Sequence, residues 1–257
     1  MTSPVLDPVR RTRSPRIKPV AGLIGAEVCR LRLAGRHDRA TVAVLRDALL
    51  RHRVLFFRGQ DDLDEAGLTA FAALLGTPET IADAEPGGTA FHTEESYASR
   101  PPKAVVLHAL DVPAHGGDTV WANTVAAYDA LPAELRDVAD RLWARHARGG
   151  REAEHPLVRV HPATGERSLL LGGFARAIAG LSAEADSEAL IRLFQDQVVR
   201  LENTVRWRWA PGDVALADNR ATQVRVVRDF GDAPRRLRRI TLAGETPGPV
   251  RARPPRR

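Results

Sequence analysis

The chain has 257 residues, 44% hydrophobic and 27% charged, ordinary values for a globular protein and far from those of a disordered one. Its apolar runs, such as Val54-Leu-Phe-Phe57 and Ala104-Val-Val-Leu107, are strand-sized and well short of the roughly 18 residues of a membrane span. The net charge of +6 sits at the ends: residues 1–19 and 246–257 each carry +4, which leaves the body between them at −2 and rests any nucleic-acid binding on the ends alone.

The predicted organisation is a flexible basic N-terminal tail over 1–19, a single domain over 20–245 and a flexible basic C-terminal tail over 246–257. The N-terminal arginines precede no apolar signal segment, and Cys29 is the one cysteine, which excludes an internal disulfide. The expectation is a cytoplasmic protein without a membrane segment, compatible with a homo-oligomer. Val42, Leu45, Ala48 and Leu49 share one face of a helix over 41–51, and Val54–Phe57 follows as a buried strand. A second amphipathic helix runs over 64–75, with Asp62 or Asp64 as its cap and Gly76 as its stop. Residues 77–90, rich in Pro, Gly, Asp and Thr, are predicted as a loop leading to His92. Strands are expected at 104–110 and 118–122, a helix over about 125–145, strands at 156–161 and 167–171, and a helix over 182–201. The last third holds four strand candidates, at 204–209, 213–218, 222–228 and 237–243. Strands in succession, with helices early and as insertions, predict a mostly β fold with decorating helices.

The first chemical constellation is His92-Thr-Glu94. Residues i and i+2 of an extended segment project to the same side, so the imidazole and the carboxylate can grip one ion, a pairing suited to Fe(II). Alone the pattern is weak. It gains weight from His115-Gly-Gly-Asp-Thr119-Val-Trp121-Ala-Asn123, Trp207-Arg-Trp209-Ala-Pro-Gly-Asp213, Asp218-Asn-Arg220-Ala-Thr-Gln223 and Arg235 through Gly244. With these motifs in this order, from Gly25 to Gly244, the chain resembles the taurine dioxygenase family of iron(II)- and 2-oxoglutarate-dependent oxygenases.

The resemblance implies a double-stranded β-helix, or jelly roll, with Fe(II) and 2-oxoglutarate as cofactors. It places His92 and Glu94 at the first two positions of the family's two-histidine, one-carboxylate iron triad, although most close relatives have Asp at the second. Thr119 and Arg235 match the residues that hold 2-oxoglutarate, and Arg239 matches the one that faces the substrate's anionic group. Strand alternation puts Arg235, Leu237 and Arg239 on one face and Arg236 and Arg238 on the other.

Three departures stand out. Val224 occupies the position of the distal iron-binding histidine; no histidine follows His161, and Asp229 lies at an odd offset that points it away. The segment around Gly149-Gly150 is shorter than the family's substrate-covering insertion. The loop before His92 lacks the histidine used in taurine recognition, which argues against taurine as the substrate. For other residues a structural role is expected: His108, His155 and His161 as hydrogen-bonded histidines, Trp207 and Trp209 as core, Cys29 as a small buried residue.

Three functions are compatible with this sequence. The leading one is an iron/2-oxoglutarate oxygenase that hydroxylates, desaturates or cyclises a small, specialised metabolite at a site with two protein ligands, His92 and Glu94. The alternative is a non-oxidative enzyme, or a catalytically silent binding protein, on the same fold without iron chemistry. Nucleic-acid binding through the tails ranks last.

Overall fold

A computed structural model of the chain describes residues 14–84 and 90–250. Seven strands form the main sheet, in the spatial order Arg16–Pro19, Ala26–Cys29, Val54–Phe57, Val214–Asp218, Ala104–Asp111, Arg236–Leu242 and Pro78–Asp83. Every pairing is antiparallel except that of Ala26–Cys29 with Val54–Phe57. A three-stranded sheet, Thr204–Trp207, Thr119–Asn123 and Thr222–Val226, faces it and completes the jelly roll.

Side-chain alternation builds the layers. In Val54–Phe57 all four residues are buried, Leu55 and Phe57 toward one face and Val54 and Phe56 toward the other. On the outer face Leu55, Phe57, Val106, Leu216 and Ile240 pack against Leu45, Leu49, Leu68 and Phe71 of helices Arg39–His52 and Glu65–Ala73. Asp38 and Asp64 cap these helices by accepting the amides of Thr41 and Gly67, each at 2.7 Å. On the inner face Val54, Phe56, Ala215, Ala217 and Leu237 meet Trp121, Val205 and Trp207 of the facing sheet. Phe56 stacks on Trp207 with ring centroids 4.0 Å apart. The small side chains of Ala215 and Ala217 leave room beside this aromatic packing, and both line the cavity that opens between the sheets.

The structure departs from the expectations at five points. The helix placed over 125–145 is two short helices, Thr124–Asp129 and Ala133–Ala139, followed by strand Trp143–Arg148. Pro132 has no amide to continue the first helix, and Trp143–Arg148 buries Ala144 and His146 at alternate positions as a strand does. This strand turns through Gly149 and Gly150, both at positive φ (56° and 78°), into Arg151–Pro156. Residues 77–90 are not all loop: Pro78–Asp83 is an edge strand of the main sheet, with its proline at the first position where no ladder donor is required. Strand Ala175–Ile178, which pairs with Trp143–Arg148, has no counterpart among the expectations. Each predicted tail contains a paired strand, since Arg16–Pro19 pairs with Ala26–Cys29 and Gly248–Pro249 pairs with Val158–Val160. The rest of the two tails, 1–13 and 251–257, lies outside the described residues. Cys29 is only half-buried.

Candidate active site

His92 enters the fold as a bridge between two segments. Its amide donates to the Val224 carbonyl at 3.0 Å, its carbonyl accepts the Val224 amide at 2.8 Å, and it also bridges Gly172. Gly172 sits at φ 112°, and a Cβ there would lie 2.8 Å from the Phe91 carbonyl oxygen, so only glycine lets the chains approach this closely. Glu94 is clamped by one side chain: Asn219 Oδ1 accepts the Glu94 amide at 2.8 Å, and Asn219 Nδ2 donates to the Glu94 carbonyl at 3.0 Å and to Pro102 at 2.8 Å. These contacts bring His92 Nε2 to 3.6 Å from Glu94 Oε2, facing a cavity of about 450 Å³.

The tautomer follows from the partners. His92 Nδ1 lies 3.1 Å from the carbonyl oxygen of Ala90, which can only accept, so Nδ1 carries the proton. In the neutral ring, Nε2 then presents a lone pair toward the Glu94 carboxylate, an arrangement that calls for a cation between them. Burial pushes the Glu94 carboxyl up, but the positive charge facing it, from Arg239, Arg148 and the imidazole when it carries a second proton on Nε2, outweighs burial and holds the group below the usual value. Arg239 pairs directly with Glu94 Oε1 and reaches Glu95 at 3.8 Å.

Further along the same cavity lie Thr119 and Arg235. The Arg235 Nε donates to the Gly117 carbonyl at 2.8 Å and its Nη2 to Thr119 Oγ1 at 2.9 Å. Trp209 Nε1 donates to the same Oγ1 at 2.9 Å. With two N–H groups already on its oxygen, the Thr119 hydroxyl has its own proton left to donate. Arg235 is half-buried and makes no ion pair among the described residues; burial lowers its pKa to about 10, still cationic at neutral pH. A cationic guanidinium beside a free hydroxyl proton has the chemistry to receive a carboxylate.

The structure therefore brings His92, Glu94, Thr119, Arg235 and Arg239 into one cavity, with Leu237 on the shared face as alternation required. Val224 lines the same wall, opposite His92. Asp229 points elsewhere, accepting the Gly117 amide at 2.8 Å. Among the described residues no group of three or more His, Cys, Asp or Glu side chains could hold a metal ion. The donor set thus fits a dicarboxylate at Arg235 and Thr119, and fits a metal with two protein donors. Trp207 and Trp209 both belong to the buried core, as expected; Trp209 lies just beyond strand Thr204–Trp207, where its indole N–H supports Thr119. Sequence reasoning missed the Asn219 clamp and also Tyr97, Arg148 and Arg151, which line the cavity mouth. The signal for the last two was the Gly-Gly pair, which marks a two-residue hairpin turn and carries an arginine on either side.

The family profile described as "Taurine catabolism dioxygenase TauD, TfdA family" matches residues 16–241. The chain belongs to the TauD/TfdA family. It is 46% identical over 272 residues to an alpha-ketoglutarate-dependent sulfate ester dioxygenase of Pseudomonas putida, an alignment that covers 90% of each protein. Its fold matches the crystal structure of a taurine dioxygenase from Burkholderia xenovorans with a TM-score of 0.87 and 38% identity, covering 93% of this chain and 92% of that one. It also matches AAD-2 in complex with Mn(II) and N-oxalylglycine, with a TM-score of 0.86 and 27% identity, covering 91% and 99% of the two chains. As a TauD/TfdA member the chain is a 2-oxoglutarate-dependent dioxygenase, a family whose cofactors are Fe(II) and 2-oxoglutarate. No helix among the described residues is long and apolar enough to cross a membrane.

Proposed function

We propose that this TauD/TfdA dioxygenase oxidises a small organic anion, of the sulfate-ester kind named for its 46% identical relative, at a site with two protein metal donors. The observation that carries the reading is the presence of two complementary groups in one cavity: the His92–Glu94 pair and the Arg235–Thr119 pocket. In this reading His92 Nε2 and the Glu94 carboxylate hold the metal. Fe(II), when bound there, would supply dioxygen activation coupled to the decarboxylation of 2-oxoglutarate to succinate and carbon dioxide, with the second oxygen atom going to the substrate.

The protein's own residues supply position. Arg235 meets the distal carboxylate of 2-oxoglutarate with parallel N–H groups, and Thr119 donates its hydroxyl proton to the same carboxylate. Trp209 and the Gly117 carbonyl hold these two side chains in place. Asn219 fixes the Glu94 backbone. Leu237, Ala215 and Val224 line the cavity with apolar surface that lowers the local dielectric.

A second reading is favoured by one specific feature. Where relatives carry a third donor this chain has Val224, and Glu94 already has a cation in Arg239. That pairing suits a metal-independent enzyme or a binding protein on the same fold. Anaerobic titration of the full chain with Fe(II) and 2-oxoglutarate separates the two. A saturable visible charge-transfer band, with succinate formed in step with substrate oxidation once oxygen is admitted, supports the first. Absence of band and succinate, with ligand binding indifferent to chelator, sinks it in favour of the second.

A further inference from the structure

The residue that by family resemblance faces the substrate's anionic group, Arg239, is already neutralised here by Glu94 and Glu95. The cavity nevertheless has other positive charge. Trp143–Arg148 and Arg151–Pro156 form a hairpin joined by Gly149 and Gly150, and its last pair sets Arg148 directly opposite Arg151. Positive φ at both glycines marks the tight turn that permits this pairing. Both arginines are exposed, both line the cavity, and neither makes an ion pair among the described residues.

Each guanidinium is held by an aromatic ring. Arg148 lies 5.2 Å from the centroid of Phe174, and Arg151 lies 5.0 Å from that of Tyr97. The two rings meet edge to face at 5.1 Å, and Phe174 lies 5.0 Å from the His92 ring. A guanidinium packed by its face on a ring keeps its N–H edge free for an anion. Like charges directly opposite on a hairpin destabilise it, and an anion between them reverses that effect.

We propose that Arg148 and Arg151 form an anion subsite at the mouth of the cavity, which takes the sulfate, sulfonate or carboxylate group of an organic anion. The apolar body of that molecule then extends past Tyr97 and Phe174 toward Val105 and Ala217 on the cavity wall. This deepens the proposed function, because it rests on the cavity being where substrate binds, and it gives the hairpin the role that Arg239 has surrendered to Glu94.

The test is calorimetric binding of octyl sulfate, with octanol as the neutral control, to the full chain and to Arg148→Gln/Arg151→Gln. Loss of two charge-assisted contacts should weaken octyl sulfate by about 10–100-fold and leave octanol unchanged. Binding of 2-oxoglutarate, measured separately, should be unaffected by these substitutions. Unchanged octyl sulfate affinity, or equal losses for octyl sulfate and octanol, would overturn the subsite. A second variant, Arg148→Lys/Arg151→Lys, keeps the charge and should retain more affinity than the Gln pair; no difference between the two pairs also counts against it. Failure of the oxygenase reading shows up elsewhere, as the absence of succinate and of the charge-transfer band.

Discussion

The protein holds two histidine–carboxylate–arginine clusters built from the same residue types, and they differ in closure. In the first, Asp218 accepts His161 Nε2, Arg220 Nε and Arg220 Nη2, each at 2.9 Å, and the Arg220 amide at 3.0 Å. Both His161 and Asp218 are fully buried. In the second, His92 and Glu94 stand 3.6 Å apart, Arg239 covers one carboxylate oxygen, and the group faces a cavity. A cluster whose every lone pair has a donor is structure. One that leaves a nitrogen and an oxygen facing open space can bind. The two are linked in sequence, because Asn219, next to Asp218, holds the Glu94 backbone.

Breaking the closed cluster should have the largest effect. Asp218→Ala strands a buried histidine and a partly buried arginine and should remove about 3–5 kcal/mol of stability in urea unfolding. Glu94→Gln should change stability by less than about 1 kcal/mol. Equal losses would erase the distinction between the clusters.

Two substitutions sharpen the open cluster. Arg235→Ala should weaken 2-oxoglutarate by about 100-fold in calorimetry at unchanged fold, since a charge-assisted pair and the Thr119 contact go together. Val224→His restores a donor opposite His92 and should tighten Fe(II) binding by at least about 10-fold. A metal affinity indifferent to Val224→His would mean that the open cluster is not a metal cluster.

The smallest effect is on pH. Burial, helped by the charge of His155, pushes His146 down to about 3, and burial also lowers His155. Between those folded values and the unfolded value near 6.5 the unfolded chain binds more protons. Stability from these histidines is therefore complete above about pH 6.5 and is lost on acidification toward pH 3. Asp218, held below its ordinary 3.8 by His161 and Arg220 against the upward push of burial, begins to matter only at lower pH. The melting temperature should fall by a few degrees from pH 7 to pH 5, and His146→Phe should shallow that fall.

Much of this was legible from residue order. Alternation in Val54–Phe57, Ala104–Asp111 and Arg236–Leu242 placed both faces of the main sheet, and it put Arg235, Leu237 and Arg239 on the cavity side. The i, i+2 spacing brought His92 to Glu94. What was hidden depended on partners far along the chain. Trp143–Arg148 continues the polar, alanine-rich composition of the helices before it, and only pairing across the Gly149-Gly150 turn makes it a strand. Pro78–Asp83 is half-exposed at a sheet edge, so its composition resembles a loop. The Asn219 clamp joins residues 125 apart, and the Arg239–Glu94 pair joins residues 145 apart. Spacing within a motif carries neither.

The hydrogen bond from Trp209 to Thr119 gives the protein a built-in optical probe. An indole's emission responds to the field along its N–H bond, and here that bond ends on the hydroxyl that would contact the co-substrate. A second indole, Trp121, lines the same cavity. Filling the Arg235 pocket with a dianion changes the field at both rings at once, so intrinsic fluorescence should follow occupancy without a label, and Trp209→Phe should silence most of the signal.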